Sequence, residues 1–317
     1  MSPADPADAR FDPAALEAER SRLLSLAFRM LGTVADAEDA VQETYVRWYR
    51  MPRADQDAVE NVAAWLTTAA SRICLDLLGS ARARRERYVG EWLPEPLPSG
   101  AAGRFGATAS LLGSAPPDPL DRVTLDESVS TALLILLESL TPAERVAFVL
   151  HDVFAVPFAE VADAVGRSPE ACRQLASSAR RHVRDRRRHL DTGARHAEVV
   201  RAFMAASAGG DLETLVGLLD PAVQLHGDGG GLASAVRRPL VGADDVLRFL
   251  AGTVAKRPDL HVDLRETPDG LTLAAGVDGV IDTVMVFEVE GGRITRIWSM
   301  RNPEKLRLWN ASGGAGA

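Results

Sequence analysis

Residues 157–188 read PFAEVADAVGRSPEACRQLASSARRHVRDRRR, and few folds accommodate such a stretch. Phe158, Val161, Ala162 and Val165 recur at helical spacing, so one apolar stripe must pack against a neighbour. Gly166 ends that helix. Ser168 offers a side-chain oxygen to cap a second one, Pro169 has no N–H to lose in its first turn, and Glu170 suits the positive end of its dipole. Residues 167–195 carry nine Arg against three acids, whereas 121–163 carry two Arg against eight acids. Positive charge is gathered on one element, as phosphate binding requires. The outline is a helix-turn-helix that reads DNA; the plainer alternative is an antiparallel helix pair with a solvated basic face.

A net charge of −8 sits awkwardly with DNA binding until its distribution is considered. Residues 12–88 hold 11 basic and 12 acidic side chains, residues 120–195 hold 11 of each, and residues 196–317 hold 12 and 16. Electrostatics supplies most non-specific affinity, so such a chain binds free DNA weakly and needs a larger partner for the rest of its grip. At 317 residues two or three domains are expected. No stretch reads as long and apolar enough to cross a bilayer, and MSPADPADAR lacks the order of a signal peptide, so a cytoplasmic protein is expected. Cys74 and Cys172 each sit in a helical pattern with no second ligand nearby. Burial is expected for both, with neither metal nor disulfide, and no cofactor is implied. The 34 Arg against 2 Lys carry no functional reading.

Four segments follow from the pattern. Residues 12–88 read as helices: Val41, Tyr45 and Trp48 form one stripe, and Asp36, Glu38, Asp39, Gln42 and Glu43 lie opposite. A long helix then runs from Asn61 or Val62 into the basic run Arg82–Arg87. Residues 89–120 are rich in Pro and Gly and read as a linker, yet its Trp92-Leu93-Pro94-Glu95-Pro96-Leu97 is too apolar for a passive tether. Residues 121–192 form a second helical domain, with Leu133, Leu134, Leu136, Leu137 and Leu140 as core and Thr141-Pro142-Ala143-Glu144 as a capping box. In residues 196–310 two short helical stretches precede strands over Leu260–Glu266, Leu271–Ala275, Val280–Val289 and Arg293–Met300, the last two joined at Gly291-Gly292. An α+β domain with a curved antiparallel sheet is expected there.

Asp36 to Thr44 (DAEDAVQET), Ala64-Trp65-Leu66 and the Arg-rich helix end resemble the second conserved region of an extracytoplasmic-function sigma factor. Leu140 to Arg145 (LTPAER) with the helix-turn-helix resembles the fourth. The remainder resembles a SnoaL-like domain of NTF2-like fold, a cone of helices against a bent sheet. WLPEPL in the linker, Asp228-Gly229-Gly230-Gly231, and Asn302-Pro303-Glu304-Lys305-Leu306 resemble the subgroup that carries this extension, with Glu304 where that subgroup has Asp. The resemblance implies two all-α sigma domains followed by the cone, acting as a promoter-specific initiation subunit of bacterial core RNA polymerase. It places polymerase contacts on Asp36, Asp39, Gln42 and Glu43, whose alternative is a solvated acidic face. Arg72, Asp76, Arg82, Arg84 and Arg85 would contact the −10 element, with Trp65 in the core. Ser168, at the cap of the −35 reading helix, would belong to the same DNA-binding set, with Glu170, Arg173, Gln174 and Ser177 reaching base edges and Arg180, Arg181 and Arg184 holding phosphates.

SnoaL-like folds include enzymes, and His226 with Asp228 could do acid–base work. Regulation in cis is the stronger reading, with Trp92, Leu93 and Leu97 anchoring the linker, NPEKL bridging back, and truncation before Asn302 altering transcription without unfolding the chain. Pro94, Glu95, Pro96 and the Asp228–Gly231 loop belong to the same contact set. Two further classes stay open: a stand-alone helix-turn-helix regulator, and a SnoaL-like enzyme with a DNA-binding arm. Promoter DNA and core polymerase are the expected partners, without a membrane; whether the cone takes a small molecule is not decided by sequence.

Overall fold

A computed structural model describes residues 13–85, 88–106, 130–187, 190, 191 and 193–311. The chain divides into two compact units, one of residues 1–80, 103–125 and 140–180, the other of residues 81–102, 126–139 and 181–317. Each unit therefore joins pieces far apart in sequence.

The first unit is helical. It contains α1 (Pro13–Leu31), α2 (Val34–Arg50), α3 (Arg53–Asp57) and most of α4 (Val62–Arg85), together with the end of α5 (Ser99–Gly106). Thr33 caps α2, its hydroxyl accepting from Asp36 N at 3.2 Å and donating to Asp36 Oδ2 at 2.6 Å. Val41 and Trp48 of the expected stripe are buried, and Tyr45 is half-buried against Tyr49. Contrary to the sequence expectation, Val62–Ser80 is long and apolar enough by length and composition to cross a membrane. Its Leu66, Ala70, Ile73, Cys74 and Leu78 are buried, while Arg72 and Asp76 are exposed. Abundant Ala and Leu outweigh two charges in such a window, and an amphipathic core helix results.

Two buried arginines tie this unit together. Arg29 Nη1 donates to the carbonyls of Ser25 at 2.9 Å and Phe105 at 2.6 Å, fixing α5 on α1. Arg145 Nη1 donates to the Met30 carbonyl at 2.8 Å and so holds α7 (Pro142–Phe148) against α1. Burial lowers both guanidinium pKa values to about 9. The capping box on α7 is formed: Glu144 Oε2 accepts from Thr141 N at 3.0 Å, and Thr141 Oγ1 from Glu144 N at 3.3 Å. After a π-helical turn at Val149–Val153 come α8 (Phe158–Val165) and α9 (Pro169–Arg187). Gly166 turns the chain between them at φ 70°, a left-handed conformation that glycine adopts without a Cβ clash. Ser168 Oγ accepts from Ala171 N at 3.2 Å, and Cys172, Ala176, Ala179 and Val183 form the buried stripe of α9.

The second unit is α+β. Its helices α6 (Thr131–Glu138), α10 (Gly193–Gly209), α11 (Leu212–Leu218), α12 (Ala243–Ala255) and α13 (Arg307–Ala311) accompany strands β1 (Leu219–Asp228), β2 (Leu240–Val241), β3 (His261–Thr267), β4 (Gly270–Val277), β5 (Val280–Glu290) and β6 (Arg293–Met300). The four expected strands are β3 to β6. Strand order is β2-β1-β6-β5-β4-β3. The sheet is mixed, not antiparallel as expected, because β1 and β6 pair in parallel. A long connection that includes α12 and three hairpin-linked strands brings β6 back beside β1, and parallel neighbours require such a crossover.

Both faces of this sheet are covered. Val223 and Leu225 of β1 join Val200, Phe203, Phe287 and Ile297 in one core with the helices. On the other face Val284, Val286, Trp298 and Met300 pack with Leu93, Leu306 and Trp309. Period-two alternation along β1 therefore turns Gln224, His226 and Asp228 toward the second face.

Candidate functional site

Asp228 ends β1 and is fully buried, and three sequence motifs meet on it. Its Oδ2 accepts from Lys305 Nζ at 2.7 Å and from the Leu93 amide at 3.0 Å. Its Oδ1 accepts from Tyr88 Oη at 2.6 Å and from the Gly230 amide at 3.0 Å. Lys305 Nζ also donates to the Leu93 carbonyl at 2.6 Å and lies 4.2 Å above the Trp92 ring. Burial, then the hydrogen bond and charge of Asp228, raise the Tyr88 phenol well above its ordinary pKa.

The remaining motif residues hold this arrangement. Asn302 Nδ2 donates to Tyr88 Oη at 2.8 Å, and Asn302 Oδ1 accepts from Glu304 N at 3.0 Å. Gly230 stands at φ 62° with Asn302 against it, so a Cβ there would fall on the Asn302 amide. Glu304 itself is exposed, so its side chain makes no buried contact. Leu93 and Leu97 are buried, and Trp309 Nε1 donates to the Pro96 carbonyl at 2.8 Å. Pro94 and Glu95 are buried in the same segment. The linker motif is thus anchored on the α+β domain.

A second anchor lies on α6. Both Asp269 oxygens accept from its first turn, Oδ2 from Thr131 N at 2.9 Å and Oδ1 from Ala132 N at 3.0 Å. A carboxylate suits the positive end of that helix. Ile135 packs against the second-face core.

His226 and Asp228 do not form the acid–base pair considered from sequence. The His226 Nδ1 contacts Glu91 Oε1 at 2.8 Å, and its ring stacks on Trp298 at 4.2 Å. Each of the two residues is engaged by the linker on its own, because side chains two apart on a strand lie side by side and reach different partners. Among the described residues no group of three His, Cys, Asp or Glu could hold a metal ion.

Sequence reasoning missed Tyr88, Glu91, Asp269 and Trp309. A Tyr beside the linker motif and a Trp past NPEKL were its only local signals.

The nucleic-acid and polymerase candidates fall in the helical part. Asp39, Gln42 and Glu43 are exposed on one side of α2, with Glu43 paired to Arg47 at 3.0 Å, while Asp36 is half-buried at the cap. Arg72 donates through Nη2 to the Asp163 carbonyl at 2.8 Å, and Asp76 is exposed. The side chains of Arg82, Arg84 and Arg85 lie outside the described residues. Trp65 is half-buried, edge-on to Trp48 at 5.1 Å. On α9, Glu170, Arg173, Gln174 and Ser177 are exposed together, as are Arg181 and Arg184. Arg173 pairs with Glu170 at 3.2 Å and lies over the Phe158 ring. Arg180 pairs with Asp152 at 2.9 Å.

The chain matches the models for Sigma-70 region 2 over residues 15–84, Sigma-70, region 4 over residues 130–183 and the SnoaL-like domain over residues 200–297. It is 42% identical over 302 residues to the ECF RNA polymerase sigma factor SigJ of Mycobacterium tuberculosis, covering 92% of this chain and 91% of that one. SigI of the same species is 37% identical over 320 residues and 100% of both chains. The crystal structure of M. tuberculosis SigJ aligns with a TM-score of 0.68 and 36% identity over 96% of this chain and 99% of that chain. With both sigma regions present and such similarity along the whole length, the chain belongs to the extracytoplasmic-function sigma factors of RNA polymerase and carries a SnoaL-like domain after them.

Proposed function

We propose that this sigma factor reads the −10 element with α4 and the −35 element with α9, and that its SnoaL-like domain controls it by holding the segments that link the two readers. The observation that carries the control is the clamp. Trp92 to Leu97 and α6, which lie between the readers in the chain, are gripped by Asp228, Lys305, Trp309 and Asp269 of the α+β domain. Asp36, Asp39, Gln42 and Glu43 meet core polymerase, and Arg173 and Gln174 of α9 meet base edges while Arg181 and Arg184 hold phosphates. Arg72, Asp76, Arg82, Arg84 and Arg85 serve the −10 strand; Arg180, already paired, contributes less. The chain works in the cytoplasm with polymerase, and its SnoaL-like domain regulates without catalysis.

Arg72 bonds to Asp163, five residues before the cap of α9. The two promoter elements lie roughly 25 base pairs apart, about 85 Å at about 3.4 Å each. This packing therefore opens on the promoter.

Reconstituted transcription with core polymerase tests the reading. Promoter-specific initiation that needs this chain is expected, with output changed by Trp92→Ala. Tight binding to free DNA without initiation would support a stand-alone regulator instead. Unchanged output from both Trp92→Ala and Lys305→Met would remove the control by the clamp.

A further inference from the structure

Three side chains from successive pieces of the helix-turn-helix region meet in the first unit. His151 lies in the π-helical turn Val149–Val153, Phe158 opens α8, and Arg173 belongs to the first turns of α9. His151 and Phe158 stack with ring centroids 3.7 Å apart and planes 27° apart. The guanidinium carbon of Arg173 stands over the Phe158 ring at 5.5 Å from its centroid, within the range of a cation–π contact.

The ring is a fixed platform. His151 Nδ1 donates to the Val156 carbonyl at 3.0 Å, and Val156 N donates to the Leu150 carbonyl at 2.9 Å, so imidazole and loop are tied to the π-helical turn. The Pro157 carbonyl accepts from Glu160 N at 2.9 Å and Val161 N at 3.0 Å, which sets the start of α8 and with it Phe158. Val161 and Ala162 of the same apolar stripe are buried, whereas Phe158 is only half-buried. Its ring therefore does more than fill the core.

The arginine is poised but open. Its side chain is 56% exposed, Glu170 takes Nη1 at 3.2 Å, and Nε and Nη2 have no partner among the described residues. The Glu170 pair alone is a weak restraint, since both side chains are more than half exposed and solvent screens them. Contact with a ring differs in kind: it restrains the guanidinium without consuming any of its N–H donors. An arginine that reads a base edge must give up its rotamer freedom, and a platform that limits this freedom beforehand lowers the cost.

We propose that Phe158, backed by His151, is a positioning residue for Arg173, holding the guanidinium in place before DNA arrives and so setting how sharply one −35 position is discriminated. This rests on the −35 reading proposed above.

Equilibrium binding of holoenzyme, reconstituted with the full chain, to a promoter selected from a randomised pool and to its single-base −35 variants tests the role. Arg173→Ala identifies the position this residue reads. Phe158→Leu should lower discrimination at that same position about two- to fivefold, the worth of a cation–π contact at an exposed site, and leave the other positions unchanged. Phe158→Tyr keeps the ring and should restore discrimination. In the Arg173→Ala background Phe158→Leu should have no further effect on base preference, since nothing is left to position. Should the Leu variant unfold, Phe158→Met supplies a second side chain without a ring. A loss equal at every position, a loss that persists in the Arg173→Ala background, or one that Phe158→Tyr does not restore would mean packing alone and overturn the positioning role. Base-specific loss in Arg173→Ala with none in Phe158→Leu overturns the positioning role only, whereas no base-specific loss in Arg173→Ala removes the −35 assignment of Arg173 and the positioning role with it.

Discussion

Asp228 and Lys305 are both withdrawn from water, and a buried ion pair is tolerable only when the remaining lone pairs and protons are met. Here Tyr88, Gly230, the Leu93 amide and the Leu93 carbonyl meet them, so the pair specifies where the linker goes. Lys305→Met leaves the carboxylate uncompensated and should destabilise the α+β domain by about 3–5 kcal/mol in urea unfolding. The double variant Asp228→Asn with Lys305→Met should recover much of this, and strictly additive losses would argue against direct coupling. Asp269 sets a different expectation. Its folded pKa is raised above the ordinary 3.8, so the folded state holds the proton more tightly than the unfolded one. Its contribution to stability is therefore fullest below 3.8 and falls as pH rises through the folded pKa. Asp269→Asn should flatten the stability curve over that window, as urea midpoints measured across pH would reveal.

At the scale of elements, α9 separates two kinds of arginine by position alone. Arg173 sits with Gln174 and Ser177 near the N-terminus of the helix, while Arg184 lies about three turns beyond Arg173. Arg173→Ala should cost about 1–3 kcal/mol at one promoter position and relax its specificity, and Arg184→Ala should weaken all promoters alike. Binding isotherms of holoenzyme on single-base promoter variants would separate the two, and identical profiles would contradict the division. The capping box on α7 and the Ser168 cap were readable because each needs only residues three apart. Strand β1 was not read: Pro221 and its acids hide the alternation of Val223, Gln224, Leu225 and His226. Helix α12 carried a fair signal, with Asp244 and Asp245 in the first turn ahead of Val246 and Leu250.

Over the whole molecule, the first unit holds the two readers together through Arg145 on Met30 and Arg72 on Asp163. Fluorescent labels at Asp76 and Gln174 should be close in the free chain and move toward about 85 Å apart on promoter-bound polymerase. A separation that does not change on assembly would sink the opening step. The helical periodicities, caps and clustered arginines are local properties, so the order of neighbours along the chain determined the two sigma regions and the helix-turn-helix. Linker docking was also foreshadowed, since Trp92, Leu93 and Leu97 are too apolar to stay in water. What those side chains dock on was decided only by the fold. Asp228, Lys305 and Tyr88 are separated by up to 217 positions yet share one buried site, and β1 meets β6 in parallel instead of continuing an antiparallel series. Such pairings depend on chain crossovers and on which charges can be jointly desolvated, and neither is written in the spacing of adjacent residues.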